Sequence, residues 1–186
     1  MKLIKQISFI LILISIFSSC SRLTDSSEEQ LQLLKVASEL FIDDKEVLFQ
    51  NTFDKKTVNQ VLGSPLSKEL LIRNPVSTEV DIDSLFDEST LKQLNQTLKD
   101  YKSINLQTLN INSVELVNDK QIPDYVRDQR PVPIWEAEFT SVLYLSTPLV
   151  YKNRAIVLSD KSGDGLIGIN FFIKENKNWV MVGSTF

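Results

Sequence analysis

The sequence predicts an α+β fold, with N-terminal helices packed on one face of an antiparallel C-terminal β-meander of four to six strands. Up to about residue 101, apolar residues recur at helical spacing. After Ser103 the period of the apolar pattern changes to two, and turn signals recur about every ten residues. A chain in which helices come first and strands second is typical of the α+β class.

The first predicted helix follows a small, polar segment. Ser26 and Glu29 have the spacing of a capping box, which marks a helix N-terminus. Apolar residues at positions 31, 34, 37, 40 and 41 then recur at helical spacing. We therefore expect a helix over about 28–40, and the sequence leaves open its continuation toward Phe49.

Two further helices are bounded by capping residues. Asp54 is placed to cap a short helix that ends at Leu62, and Gly63 follows as the residue that ends it. Asp87 precedes a segment whose apolar residues lie at positions 91, 94, 98 and 101. This spacing predicts an amphipathic surface helix.

The second half of the chain alternates between apolar and polar residues, as half-buried strands do. One alternating segment covers 109–116, where Ser113 would shift the register as a β-bulge does. Another begins at Trp135 and continues through 142–145. Further strands are expected at 155–158, 166–173 and 179–182, separated by turns at 160–165 and 175–178.

The first 20 residues have the order of a secretory leader. Lys2 and Lys5 precede an apolar stretch at 7–17, and two serines precede Cys20, which is the only cysteine. The segment resembles the signal peptide and lipobox of bacterial lipoproteins. The apolar stretch is shorter than the roughly 17–25 residues that a transmembrane helix needs. Ordinary signal cleavage nearby, which would leave Cys20 as a free thiol, is the alternative.

The resemblance to bacterial lipoproteins implies that Cys20 is lipidated and becomes the mature N-terminus. Acyl chains of the palmitate type would then hold the protein at a membrane of the cell envelope. Ser21, in place of aspartate, implies the outer membrane in many diderm bacteria. The expected organisation is a signal peptide at 1–19, a lipidated cysteine with a polar tether at 20–27 and one α+β domain at 28–186.

Composition narrows the classes of function. The chain has no histidine, and its sole cysteine is assigned to the anchor. These two facts exclude Ser-His and Cys-His nucleophile systems and most zinc or transition-metal sites. A formal net charge of −4 argues against nucleic acid, which binds basic surfaces. We therefore expect no metal, no cofactor and no nucleic-acid partner.

The segment 123–133 is the predicted binding element of the mature domain. It contains three prolines, together with Tyr125, Arg127 and Arg130. An aromatic plane with two guanidinium groups could clamp a carboxylate, a phosphate or a side chain of a partner. The alternative is a solvated connector that its prolines merely stiffen.

Two acidic groupings have simpler explanations than catalysis or metal binding. Glu136 and Glu138 resemble the paired carboxylates of glycosidases, but strand alternation accounts for them as a solvent face. Asp160, Ser162 and Asp164 resemble the start of an EF-hand loop. Its twelfth position, which should hold glutamate, is Phe171, so a hairpin turn is predicted instead.

The C-terminal region, 140–182, resembles uncharacterised lipoproteins of Bacteroidota. The resemblance rests on Ser146-x-Pro148-Leu149-Val150, on Ala155-Ile-Val-Leu158, on glycines at 163, 165 and 168, and on the aromatic residues of 171–179. It supports placement in the envelope and implies no activity.

The sequence thus predicts a lipid-anchored cell-envelope protein that binds a protein partner or a small ligand without catalysis. One alternative is a hydrolase or isomerase that works through carboxylates alone, with Glu136, Glu138 or Asp124 as acid and base. The other alternative is a purely structural component of the envelope.

Overall fold

The computed structural model describes residues 27–43, 45–67, 69, 71, 81–109, 114–130, 137–161 and 166–185. The helices bounded in this part of the chain are α1 (27–41), α2 (Lys55–Leu62), α3 (Ile82–Leu85), α4 (Glu88–Lys99) and α5 (Asp124–Arg127), with a 3₁₀ helix at Leu106–Leu109. The strands are β1 (Glu46–Phe49), β2 (Leu116–Val117), β3 (Ser141–Leu145), β4 (Leu149–Tyr151), β5 (Arg154–Lys161), β6 (Gly168–Glu175) and β7 (Asn178–Thr185).

The predicted helix ends are confirmed by hydrogen bonds at the caps. Asp54 accepts the backbone N–H of Thr57 at 2.7 Å, and Asp87 accepts that of Thr90 at 2.7 Å. Gly63 ends α2 with a φ of 79°, a conformation that glycine adopts without steric cost. These side chains satisfy backbone groups that have no partner within the helix.

Helix α1 does not continue toward Phe49. The chain leaves the helix after residue 41, and Lys45 has a φ of 63°, which redirects the backbone before β1. The residues that the sequence left open as helix therefore form a strand, Glu46–Phe49.

The sheet has seven strands and is mixed, in the order β2-β1-β3-β5-β6-β7, with β4 paired to β5. Strand β1 is parallel to both β2 and β3, whereas the other pairs are antiparallel. The predicted α+β class and a largely antiparallel sheet are confirmed, whereas the strand number of four to six and the purely antiparallel meander are corrected. Parallel neighbouring strands are connected by long crossovers. No turn motif next to these strands in the sequence therefore indicates that they pair.

Strands β3 and β4 follow one another along the same edge of β5. Leu145 pairs with Ser159 and Leu149 with Ile156, so three residues oppose two. At this irregularity Ser146 donates its N–H to Leu158 O at 2.9 Å, and its hydroxyl accepts the N–H of Leu158 at 2.8 Å. The serine side chain thus replaces a backbone acceptor of the ladder.

Helices cover both faces of β5, which corrects the prediction of one helical face. Ile156 and Leu158 pack in one core cluster with residues of α2 and α4. Ala155 and Val157, which point the other way, pack in a second cluster with residues of α1. The near-continuous apolar sequence of β5 is what a strand buried on both faces requires.

Two predicted strands differ from the structure in the described residues. Leu106–Leu109 is a 3₁₀ helix, and only Leu116–Val117 pairs as a strand in its region. Residues 137–140 are not in a strand, since β3 begins at Ser141. The intervening segments 110–113 and 131–136 lie outside the described residues.

The last predicted hairpin is confirmed. Asn176 and Lys177, with φ values of 48° and 73°, join β6 to β7 through a two-residue turn. Positive φ at both central residues matches the twist of the flanking strands.

Candidate functional site

The predicted binding residues lie on α5 and just after it. The Tyr125 hydroxyl donates to Phe139 O at 3.3 Å and accepts the N–H of Glu138 at 3.2 Å. Arg127 Nε donates to Ile122 O at 3.1 Å. The side chains of Tyr125 and Arg127 therefore form hydrogen bonds with backbone groups of nearby segments.

Arg130, the third predicted residue, is exposed. Its Nε lies 3.3 Å from Asp128 Oδ2, and both side chains are more than half exposed to solvent. An exposed ion pair of this kind contributes little to stability, so it leaves the guanidinium accessible. The role of Tyr125, Arg127 and Arg130 in binding stays a prediction.

The other predicted residues are dispersed or lie outside the described part. Glu138 and Asp124 are exposed, and Asp160 is buried near the end of β5. Cys20, Glu136 and the segment 162–165 are outside the described residues. Among those that are described, there is no group of three or more acidic, histidine or cysteine side chains that could hold a metal ion.

In the described ranges, no helix has both the length and the apolar character needed to cross a bilayer.

An open cleft of about 960 Å³ lies within the described part of the chain, and we call it the α4 cleft. It lies between the C-terminal half of α4, the first turn of α1 and the segment 147–151. Gln30 of α1 closes one side, where its Nε2 donates to Pro148 O at 3.0 Å. With Lys55 of α2, four stretches of chain that are far apart in sequence thus form one site.

Tyr101 and Thr147 form the polar floor of the α4 cleft. Their buried hydroxyl groups, together with that of Thr52, which is outside the lining and contacts Thr147, make up what we call the hydroxyl hub. Thr52, Tyr101 and Thr147 are 4%, 7% and 4% exposed. The Thr52 and Thr147 hydroxyls lie 2.9 Å apart, and the Tyr101 hydroxyl accepts the N–H of Thr147 at 3.0 Å. These contacts join the segments that follow β1, α4 and β3.

Each hydroxyl of the hub both donates and accepts. Tyr101 donates to Phe53 O at 2.8 Å, and Thr147 donates to Lys102 O at 2.9 Å. Thr52 accepts the N–H of Ile104 at 2.7 Å and is left to donate to Thr147. A buried polar network with every member satisfied holds its surroundings in one arrangement.

The Tyr101 hydroxyl stays protonated at neutral pH. Burial raises its pKa above the ordinary value of 10.0, although hydrogen bonds with Thr147 oppose this shift. Tyr101 therefore acts as a neutral donor that fixes the floor of the cleft.

One wall of the α4 cleft is apolar and aromatic. It consists of Ile104, Pro148, Leu149 and Tyr151. The Lys152 ammonium lies over the Tyr151 ring, 5.1 Å from its centroid, which adds a cation beside this wall.

The rim of the α4 cleft is mainly cationic. Lys55, Lys99 and Lys102 line it, and Asp100 is the single acidic residue of the lining. The Asp100 carboxylate accepts a hydrogen bond from Gln96 Nε2 at 3.0 Å. The Lys55 ammonium donates to Lys99 O, so it satisfies a carbonyl at the C-terminal end of α4.

A second cleft of about 580 Å³ adjoins the first. Lys55, Gln96 and Lys99 line both clefts and form the ridge between them, and Lys92 contributes a further ammonium group to the second. Cationic side chains therefore extend along one side of α4.

Sequence reasoning did not find the α4 cleft. The spacing of 91, 94, 98 and 101 places Tyr101 with the buried apolar residues, and its burial just after α4 agrees with this. Thr52 and Thr147 stand in unremarkable local sequence. The only sequence feature that points to the cleft is the presence of Lys99 and Lys102 close to Tyr101. These lysines could not be recognised as part of a binding site, because the strands that complete the cleft are distant in the chain.

The arrangement can bind and orient a molecule, because it combines a rigid polar floor, an apolar wall and a charged rim. No protein-family model, no curated protein and no solved structure matches this chain.

Proposed function

We propose that this chain is a lipid-anchored cell-envelope protein that binds a small ligand in the α4 cleft without catalysing a reaction on it. The observation that carries the proposal is the closed hydroxyl hub beneath a cleft of about 960 Å³. Ligand sites are concave, pre-formed and mostly apolar, with a few fixed polar groups.

The size and rigidity of the α4 cleft support a small molecule as its occupant. Its volume lies at the upper end of the roughly 300–1,000 Å³ range of small-molecule sites. Because the hub joins three segments, the floor needs little ordering when a ligand binds, which lowers the entropic cost of binding.

The chemistry of the floor supports binding rather than catalysis. The hub hydroxyls are engaged by Phe53 O, Lys102 O and the N–H groups of Ile104 and Thr147. A hydroxyl held in this way is not activated as a nucleophile, since none of its hydrogen-bond partners among the described residues is a base. The same contacts hold the cleft walls in place.

The predicted anchor would keep the α4 cleft near a membrane. The described part of α1 starts seven residues after Cys20, and a segment of that length can reach at most about 25 Å. Gln30, in the first turn of α1, lines the cleft. A lipidated Cys20 would therefore hold the cleft within a short distance of the bilayer.

A protein partner at the segment 123–133 is the second candidate. The exposed Arg130 guanidinium supports it, as arginine is enriched at the centres of protein interfaces. The two functions are compatible, because α5 contributes no residue to the lining of the α4 cleft.

Native mass spectrometry of the full chain, extracted from its own membranes in a mild neutral detergent, tests the binding function. We expect an added small-molecule mass that Gln96→Trp abolishes, since position 96 lines the cleft and is exposed. Lys120→Trp, at an exposed position in a distant turn, is the matched control and should keep the added mass. No added mass, or equal amounts in both variants, would contradict the proposal.

Metabolic labelling with an alkyne fatty acid tests the anchor separately. We expect the wild-type chain to carry the label and to sediment with membranes, and Cys20→Ser to lose both properties. An unlabelled wild-type chain in the soluble fraction would remove the lipid anchor.

A further inference from the structure

We propose that the occupant of the α4 cleft is an amphipathic organic anion, whose phosphate or carboxylate group lies between Lys99 and Lys102. Its apolar body would lie against Ile104 and Tyr151. This inference rests on the proposed function of the cleft and names the chemical class of its ligand.

The charge of the residues around the α4 cleft is the first reason to expect an anionic ligand. Four lysines and one aspartate line the two adjoining clefts, although the whole chain has a formal net charge of −4. Asp54 adds one acid nearby, and its carboxylate accepts the N–H of Thr57 at 2.7 Å. A cationic surface of this kind raises the local concentration of anions.

Two of the ammonium groups are available to a ligand. Lys55 is engaged by Lys99 O, whereas the ammonium groups of Lys99 and Lys102 have no hydrogen-bond or ion-pair partner in the described part of the chain. Each ammonium has three donors, which suits the several oxygens of a phosphate or a carboxylate.

The backbone on either side of these lysines is fixed. Lys99 O accepts the Lys55 ammonium, and Lys102 O accepts the Thr147 hydroxyl at 2.9 Å. The Tyr101 side chain between them is held in the hub. The two Cα positions are thus set in advance, and only the side chains must be ordered by the anion.

The apolar wall of the α4 cleft determines what chemistry we expect in the rest of the ligand. An inorganic anion would leave the half-buried side chains of Ile104 and Tyr151 uncovered, and burying apolar surface contributes about 25 cal/mol per Å². A ligand with both an anionic group and an aromatic or aliphatic body uses both parts of the cleft.

Acetylation of lysines, measured residue by residue with mass spectrometry on the membrane-bound full chain, tests the class of ligand. The probe is phenyl phosphate, with phenol and inorganic phosphate as its two halves. We expect phenyl phosphate to slow acetylation of Lys99 and Lys102 several-fold and to leave Lys56 and Lys120 unchanged. Equal rates at all four lysines, both with phenyl phosphate and with vesicles that contain phosphatidylglycerol, would overturn the inference.

A second arm identifies the source of the anion. Vesicles of phosphatidylcholine, with and without phosphatidylglycerol, replace phenyl phosphate as the probe. Protection by phenyl phosphate supports a free organic anion, and protection by phosphatidylglycerol alone supports a lipid headgroup. Protection by neither probe overturns the inference.

Matched variants show which charged side chains contribute to the affinity for phenyl phosphate. We expect Lys102→Gln to weaken the binding of phenyl phosphate roughly tenfold and Lys56→Gln to leave it unchanged. Asp100→Asn should strengthen binding, because it removes the acid from the lining. Equal affinities for all three variants would overturn the inference.

The two proposals fail in different ways. Native mass spectrometry could show a ligand in the cleft whose binding is not weakened by Lys99→Gln or Lys102→Gln. In that case the ligand is not an anion of the proposed class, and the binding function stands. If Gln96→Trp has no effect on any ligand, the cleft function itself is wrong.

Discussion

Single hydroxyl groups hold the binding floor together, and Tyr101 is the most informative of them. Its hydroxyl joins Phe53 O and the N–H of Thr147, and both bonds are 3.0 Å or shorter. No other group of the hub could replace it, because Thr52 and Thr147 are already engaged. The tyrosine is therefore as much a polar connector as a core residue.

We expect Tyr101→Phe to lower the free energy of unfolding by about 1–3 kcal/mol, since it leaves a buried carbonyl and a buried N–H without partners. Urea unfolding of the purified protein measures the change. Tyr125→Phe is the matched control, because its hydroxyl makes longer bonds of 3.2 and 3.3 Å at a half-buried position. An equal loss in both variants would contradict the special role of Tyr101.

Asp87 gives a prediction about pH. Hydrogen bonds from Thr90 and Ser89 hold the pKa of this exposed carboxyl at about 2, below its ordinary value of 3.8. A group whose pKa is lowered by folding contributes stability above its unfolded pKa, and this contribution is lost as the pH falls toward the folded pKa. The contribution should therefore be complete above about pH 4 and absent below about pH 2.

Asp87→Asn tests this dependence, because asparagine still accepts the bond from Thr90 but does not ionise. We expect the variant to unfold at a lower urea concentration than the wild type at pH 7. The difference should shrink as the pH falls from about 4 toward about 2. A difference that stays constant over this range would contradict the assignment.

At the scale of elements, the sequence predicts best what local chemistry determines. The caps Asp54, Gly63 and Asp87 act within a few residues of their position, so their helices begin and end as expected. The hairpin at 176–177 is similarly local. Strand β1 could not be placed, because its parallel partners lie about 70 and 95 residues away and no adjacent turn specifies them.

The break between β3 and β4 positions Thr147 and Pro148 at the α4 cleft. Ser146 keeps the ladder paired there through its hydroxyl, which accepts the buried N–H of Leu158. We expect Ser146→Ala to cost about 1–3 kcal/mol of stability, since that N–H loses its partner. Ser146→Thr, which retains a hydroxyl, should cost less; equal losses in urea unfolding would contradict the role of the hydroxyl.

At the scale of the whole molecule, two layers of helix enclose the sheet. The predicted fold had helices on one face of the sheet, but β5 is buried on both faces. Its apolar run at 155–158 does not alternate, which is the pattern of a strand covered on both sides, and α1 supplies the second cover. The α4 cleft could not be foreseen for a related reason, as it exists only where α1, α4 and β4 meet.

Helix α1 should therefore be essential to the fold. Leu34 is fully buried in the cluster with Val157 and Phe172, whereas Leu40 of the same helix is 51% exposed. We expect Leu34→Ala to lower the free energy of unfolding by about 2–5 kcal/mol and Leu40→Ala to change it little. Losses of similar size in thermal or urea unfolding would mean that α1 does not pack on this face.

The central claim is that the α4 cleft is the binding site of a membrane-anchored protein, and in-cell photo-crosslinking tests it most directly. A benzophenone side chain is placed at Gln93 on the cleft, at Arg130 on the predicted binding loop or at exposed Lys120 as the control. We predict a defined small-molecule adduct at position 93, absent at position 120 and lost when Gln96→Trp fills the cleft. Adducts of equal yield at all three positions, or a defined adduct at position 130 alone, would contradict the claim.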